Sequence, residues 1–136
     1  MINKLLSVVL VATILFLSSC AAMTRTSTYN ANIKTNNPNA KIYANGEMIG
    51  TGQAKGTFKR NNDLQITVKE EGCEDYTKNI TKKFGVGFVF INWGLAGLIV
   101  DIATGAAYKP NYNIHPEVKK VDLKNFDITI DNKNCN

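Results

Sequence analysis

The side chains that could carry catalysis are few in this sequence. After residue 19, the 136-residue chain contains one serine, Ser27, and one histidine, His115. A Ser-His-Asp hydrolase needs a nucleophile beside a positioned base, and a histidine-rich metal site needs several imidazoles, so this set supplies neither. We therefore predict a protein that is not an enzyme, with no catalytic residues, no metal site and no cofactor.

Two other patterns that could carry chemistry are more typical of loops. Acidic pairs at residues 70–71 and 74–75 flank Gly72, but acidic residues beside a glycine between strands are usually solvated rather than catalytic. In the glycine-rich run GTGQAKGT, residues 50–57, the lysine precedes its glycine, whereas a phosphate-binding loop needs it afterwards. We interpret both segments as turns.

The charge balance argues against a nucleic-acid partner. The chain has 16 Lys+Arg and 11 Asp+Glu, a formal net charge of +5. The basic residues are scattered and form no block of the kind that follows a phosphate backbone. We therefore expect no nucleic acid among the partners.

The first twenty residues resemble a bacterial lipoprotein leader. Lys4 precedes an uncharged apolar stretch, Leu5 to Leu17, and Leu17-Ser18-Ser19-Cys20 resembles a lipobox. The resemblance implies that residues 1–19 are a cleaved signal peptide and that Cys20 becomes the acylated N-terminus, held stably by several acyl chains. The alternative is an ordinary secretory signal that happens to end in a cysteine.

The residues after Cys20 bear on location. Ala21 stands where enterobacterial lipoproteins retained in the inner membrane have Asp, and no acidic run follows. This resemblance implies an outer-membrane lipoprotein, anchored in the bilayer through acylated Cys20 and facing the periplasm. We interpret residues 20–28 as a lipidated tether and residues 29–136 as one β-domain.

The remaining cysteines are predicted to pair. Once Cys20 is acylated, Cys73 and Cys135 are left in an oxidising compartment, where two cysteines generally form a disulfide. The alternative is two free thiols.

Short segments of alternating polarity separated by turns indicate antiparallel strands. We predict strands at about 29–34, 41–44, 47–49, 63–69, 76–80 and 125–131, with Asn45-Gly46 as a hairpin turn. Such strands favour a mainly β fold, a small antiparallel β-sandwich.

Residues 35–76 resemble the PEGA domain, a small surface or periplasmic β-module. The matching residues are Pro38-Asn39-Ala40, Asn45-Gly46, Ile49-Gly50-Thr51 and Glu71-Gly72. The resemblance implies an all-β fold with a binding or architectural role. The chain is also similar, more faintly, to the Bor family of phage-encoded lipoproteins, which are small and have an apolar, glycine-rich segment and a late cysteine.

The segment from Phe84 to Tyr108 breaks the strand pattern. It is almost free of charge apart from Asp101, which favours one or two inserted apolar helical segments at about 84–108. Three structures are compatible with it: a membrane-spanning helix, a buried core helix, and a short helical hairpin or bent helix that packs partly on the β-domain and is partly exposed to lipid or a protein partner. We favour the last. The predicted membrane or partner contacts are Phe88, Phe90, Trp93, Leu95, Leu98 and Ile99.

Two functions remain open from the sequence. The first is a lipid-anchored structural or adaptor subunit, whose residues 84–108 contact a membrane protein or a second copy of the chain. The second is a periplasmic module that binds cell-wall glycan or a small ligand. We favour the first, because the one unusual feature of the sequence is the apolar segment at residues 84–108, which suits contact with a membrane or a protein.

Overall fold

The computed structural model describes residues 26–85, 95–133 and 135. The elements in these ranges are β1 (Thr28–Thr35), β2 (Lys41–Ala44), β3 (Glu47–Thr51), β4 (Gln53–Lys59), β5 (Leu64–Lys69), β6 (Tyr76–Ile80), β7 (Lys82–Phe84), α1 (Leu95–Thr104), β8 (Tyr108–Pro110), β9 (Val118–Lys120) and β10 (Asn125–Ile130). The predicted leader and Cys20 lie outside the described residues.

Eight strands share one hydrogen-bonded sheet, in the order β6-β5-β2-β3-β4-β1-β10-β9, and β7 pairs with β8 in a second sheet. Every pairing is antiparallel except that of β1 with β10, which is parallel. The prediction of a mainly β fold with antiparallel sheets is confirmed. The predicted sandwich is not, because the main strands belong to one continuous sheet.

The hydrogen-bonded ladder is shortest between β3 and β4. These strands are joined by one residue pair, Thr51 with Gln53. Gly52 between them has a φ of +66°, and a Cβ at this position would lie 2.5 Å from the carbonyl oxygen of Pro38, so a side chain does not fit. This short connection divides the sheet into two four-stranded halves, β6-β5-β2-β3 and β4-β1-β10-β9.

Both halves contribute to one core. The apolar residues of each strand alternate with polar ones, and the buried set forms a single cluster. Burial of each large aliphatic side chain contributes about 1.5–3 kcal/mol to stability. The largest fully buried side chains are Phe126, Ile33, Ile42, Leu64, Ile66, Ile80, Ile128, Ile130 and Val68.

The outermost strands of the order, β6 and β9, lie close together in space. Lys78 Nζ on β6 is 2.8 Å from Oε1 of Glu117, which immediately precedes β9. The backbone N–H of Asn111 also donates to the carbonyl oxygen of Thr81, just after β6, at 2.8 Å. The sheet therefore folds back until its two edges are bridged by side chains and by the chain leading into β9.

The predicted strands and hairpin are present. Asn45 and Gly46 have φ values of +51° and +87°, which suit a tight two-residue hairpin. The interpretation of residues 50–57 as turns is wrong for most of its length, because β4 begins at Gln53. Gly56 lies within this strand, paired with Ala31 of β1, and the ring of Phe58 comes within 2.6 Å of where a Cβ would be.

The predicted helical insertion at 84–108 is corrected at both ends. Phe84 ends β7 and Tyr108 begins β8, and their rings meet edge to face with centroids 5.8 Å apart. In the described part of this range, helix is confined to the ten residues of α1. None of the helices described is both long enough and apolar enough to cross a membrane.

Candidate functional site at the arginine end of the domain

Arg60 joins four segments at one end of the sheet. Its buried guanidinium donates from Nε to the carbonyl oxygen of Thr28 at 3.0 Å, from Nη1 to that of Tyr108 at 3.3 Å, and from Nη2 to that of Leu123 at 2.5 Å. Its backbone N–H donates to the carbonyl oxygen of Ser27 at 2.8 Å. We call this the arginine end; β1 begins here.

The apolar insertion emerges from the arginine end. After the Phe84–Tyr108 pair, the N–H of Gly85 donates to the carbonyl oxygen of Ala107 at 2.9 Å, which brings the two ends of the insertion together. Helix α1 ends at Thr104, and the φ of +82° at the next residue, Gly105, is typical of the position after a helix C-terminus. A Cβ at Gly105 would lie 2.7 Å from Cβ of Asn61, so the helix end packs directly beside Arg60.

Large apolar side chains at this end are exposed. On α1, Ile99 is 66% exposed and Val100 58%, and Leu123 beside Arg60 is 76% exposed. Of the predicted contact residues, Ile99 is therefore at the surface. Leu95 and Leu98 lie on α1, although their side chains are outside the description, and Phe88, Phe90 and Trp93 lie outside the described residues altogether.

A group of lysines and a tyrosine stands at the base of the insertion. Lys83 and Lys109 are paired across β7 and β8, so their side chains share a face. Lys83 Nζ lies 3.8 Å from the ring centroid of Tyr112, and Lys109 Nζ donates to its hydroxyl oxygen at 3.2 Å. We call Lys83, Lys109 and Tyr112 the basic–aromatic cluster.

The field of the basic–aromatic cluster is positive. The hydrogen bond from Lys109 and the charges of Lys109, Lys83 and Lys120 lower the pKa of Tyr112 below its ordinary value. In the parts of the chain that the structure covers, ion pairs with carboxylates involve Lys69 and Lys78 and none of these lysines. An anion is therefore the ligand this cluster suits best.

The opposite end of the sheet holds the remaining cysteines. Cys73, after β5, and Cys135, after β10, lie at disulfide distance, with Cα atoms 5.3 Å apart. Oε2 of Glu70 lies 3.2 Å from Sγ of Cys135 and accepts a hydrogen bond from Nδ2 of Asn37 at 3.0 Å. We call this the disulfide end. Its Glu70–Cys73–Cys135 group has the spacing of metal ligands, but bonded sulfurs offer no thiolate to a metal.

A polar groove lies on the outer face of β4, β1 and β10. Its volume is about 560 Å³, and we call it the amide groove. Asn30 Oδ1 accepts from Thr57 Oγ1 at 2.9 Å, and Asn30 Nδ2 donates to Asn125 Oδ1 at 3.0 Å. One step along, Asn32 Nδ2 donates to Asp127 Oδ1 at 3.0 Å. The lining residues are Asn30, Ala31, Asn32, Lys55, Gly56, Thr57, Val121, Asn125, Phe126 and Asp127.

His115, the one histidine, lies in the loop between β8 and β9 and packs against another segment. It is buried, and its Nε2 accepts the backbone N–H of Thr81 at 3.2 Å. That bond fixes Nε2 as the unprotonated nitrogen in this arrangement. The contact joins the end of β6 to the segment before β9, so the histidine helps to bridge the sheet edges.

Comparison with protein-family models, with curated proteins and with solved structures gave no match to this chain. The resemblances to lipoproteins, to the PEGA domain and to the Bor family therefore stay predictions from the sequence.

Sequence reasoning missed Arg60, the basic–aromatic cluster and the amide groove. The sequence contained an indication of the groove, because the polar residues Asn30, Asn32 and Lys34 alternate with the buried residues of β1. The cluster had a weaker one, because Lys82-Lys83 and Lys109 flank the apolar segment on both sides. Arg60 had none, because its partners are backbone carbonyls distant in sequence.

Proposed function

We propose that this protein is a non-enzymatic, lipid-anchored lipoprotein of the outer membrane. It faces the periplasm and serves as a structural or adaptor subunit of a membrane-associated assembly. Acylated Cys20 holds it in the bilayer, and residues 84–108 make its contact with a membrane protein or a second copy of the chain.

The observation that carries this proposal is the position of the exposed apolar residues. Ile99, Val100 and Leu123 lie at the arginine end, where β1 begins. Five residues lie between Cys20 and Thr26, so the chain spans at most about 20 Å from one to the other when fully extended. An anchor at Cys20 would therefore hold this apolar surface close to the membrane, where such residues find apolar neighbours.

The test uses the full-length protein with a C-terminal tag, expressed in a bacterium and extracted in mild detergent. Mass spectrometry of the mature N-terminus should find acylated Cys20, and the native complex should be larger than one chain. Substituting Ile99→Lys and Val100→Lys should release the single chain, whereas the control Met48→Lys, at an exposed site on β3, should not. An unmodified Cys20, or a single chain in every variant, would contradict the proposal.

A second candidate function is binding of cell-wall glycan or a small ligand in the amide groove. The groove offers amide donors and acceptors held in fixed orientation, with Lys55 and Asp127 beside them. Retention of the protein on isolated peptidoglycan, lost in Asn32→Ala and kept in the control Lys41→Gln, would support this function. Equal retention of both variants would exclude the groove.

We also propose that the two halves of the sheet are the layers of a PEGA-like sandwich. Two features support this: the single pair Thr51–Gln53 joins the halves, and one buried cluster draws on both. An experimental structure would test the arrangement through the angle and distance between the halves.

A further inference from the structure

We infer that the basic–aromatic cluster binds the phosphate groups of anionic lipid headgroups, so that the arginine end lies against the membrane surface. This inference rests on the proposed function, because it takes the bilayer to be the surface next to the anchored domain. It adds a ligand of defined chemistry and the residues that hold it.

The first argument is the arrangement of donors. Lys83 and Lys109 approach the ring and the hydroxyl group of the same tyrosine, Tyr112. Because the phenol oxygen already accepts a hydrogen bond from Lys109, the phenol proton is free to be donated outwards. Two ammonium groups and one phenol therefore present donors to one anion, and a phosphate has several oxygens to accept them.

The second argument is charge complementarity. Within the described ranges, carboxylates neutralise lysines on β5 and β6, at Lys69–Asp75 and Lys78–Glu117. No such pair occurs in the basic–aromatic cluster, and Lys120 adds a further positive charge near Tyr112. The cluster therefore keeps the net charge that an anionic surface attracts.

The third argument is the combination of charge with apolar surface. The lysines stand at the base of the segment that leads into α1, whose Ile99 and Val100 are exposed. A bilayer surface offers phosphates beside hydrocarbon, which matches lysines beside exposed aliphatic side chains. A free phosphate ion would satisfy the lysines but leave the aliphatic side chains in water, so the lipid headgroup is the better occupant.

The experiment compares the acylated protein in vesicles of phosphatidylcholine alone and in vesicles that also contain phosphatidylglycerol. Hydrogen–deuterium exchange is followed at residues 82–84 and 99–112. We expect slower exchange in the anionic vesicles, and Lys83→Gln with Lys109→Gln should reduce this protection about 30-fold, since each lysine near an anionic surface contributes about fivefold. The matched control, Lys34→Gln with Lys41→Gln, changes the same charge towards the disulfide end and should keep the protection.

A second measurement does not depend on any variant. In the wild-type protein, high salt should abolish the difference between the two vesicle types, because it screens exposed charges. Inorganic phosphate added to neutral vesicles should leave exchange unchanged; equal protection by the free ion would overturn the lipid assignment.

The remaining outcomes separate this inference from the proposed function. Equal exchange in neutral and anionic vesicles, with Cys20 acylated, would overturn the inference and leave the anchored adaptor standing. Protection that appears only with a second protein would overturn it in favour of a protein-covered face. An unmodified Cys20 would contradict the proposed function, and this inference with it.

Discussion

The two ends of the domain are closed by different chemistry. At the disulfide end, Cys73 and Cys135 tie the β5–β6 loop to the chain after β10. At the arginine end, the guanidinium of Arg60 holds separate segments through their carbonyl oxygens, among them Thr28 and Leu123. A reducing agent could therefore loosen one end without acting directly on the other.

The ends also differ in what they leave at the surface. Around the disulfide end, side chains satisfy one another, as in the hydrogen bond from Asn37 to Glu70. At the arginine end, Ile99 and Leu123 are exposed and lysines lie on aromatic rings rather than beside carboxylates. The disulfide end is therefore closed by its own side chains, whereas the arginine end leaves large apolar side chains at the surface.

The largest loss of stability is expected when the disulfide end is opened. Cys73→Ser with Cys135→Ser removes a cross-link with a sequence separation of 62 residues, which costs about 4 kcal/mol by the chain-entropy estimate. In a domain of this size, that corresponds to a melting temperature lower by about 20 °C. Thermal unfolding followed by circular dichroism measures it.

The control for this prediction is the wild-type protein with and without a reducing agent. Reduction should lower its melting temperature to that of the double variant, and the variant should not respond to the reductant. Two cysteines that react with an alkylating reagent before reduction would show that the pair is not bonded.

A smaller loss is expected at the arginine end. Arg60→Met removes the donors from the carbonyl oxygens of Thr28, Tyr108 and Leu123 and should destabilise the protein by about 2–3 kcal/mol. Hydrogen exchange should accelerate at these segments and not around Cys73. Lys59→Met on the neighbouring exposed position is the control, and equal acceleration at both ends would show that the ends are not independent.

The Lys78–Glu117 pair, which bridges the sheet edges, should make the free energy of unfolding depend on pH. The hydrogen bond from Lys78 lowers the pKa of Glu117, so the pair stabilises the fold above the unfolded-state pKa of the carboxyl group and loses that effect as pH falls through the folded-state pKa. Lys78→Met should cost about 0.5–1 kcal/mol at pH 7. This cost should shrink as the pH falls below the ordinary pKa of glutamate, about 4.3, and vanish once Glu117 is protonated in the folded state.

Denaturant titration at pH 7 and at a series of acidic pH values tests this prediction. Lys69→Met is the matched control, because Lys69 pairs with Asp75 where both side chains are about half exposed. We expect no measurable change for it. A Lys78→Met deficit that grows as the solution is acidified would contradict the assigned role of Glu117.

The smallest effect on folding is expected on α1. Ile99→Lys should change the free energy of unfolding by less than about 0.5 kcal/mol, because the side chain is already exposed. By contrast, Ile33→Ala in the core should cost about 2–5 kcal/mol. If Ile99→Lys destabilised the isolated protein by more than 1 kcal/mol, this helix would belong to the core rather than to a contact surface.

The sequence predicted elements that local patterns define. The alternation around Ile33, Ile66 and Ile128 marks strands with one buried face, and Asn45-Gly46 marks a hairpin. The prediction from the sequence was wrong at β4. Gly56 suggested a turn there, but it lies within the strand, and the ring of Phe58 fills the space beside it. The prediction also failed at β7, β8 and β9, which are three residues each and too short to show a period.

The candidate site was predicted only in part, and for a physical reason. The apolar character of residues 84–108 is a local property and was visible in the sequence. The basic–aromatic cluster and the carbonyls around Arg60 come together only when β8 and the β9–β10 turn reach the start of β1. Contacts between residues so distant in sequence leave no local pattern.

The parallel pairing of β1 with β10 affects the order in which the chain can fold. Asn30 is aligned with Asn125, so a strand near the start of the domain must wait for one near its end. A chain still being synthesised on the ribosome lacks that neighbour, and closing so long a loop is slow. The topology therefore disfavours completion of the sheet around β1 until β10 has been synthesised.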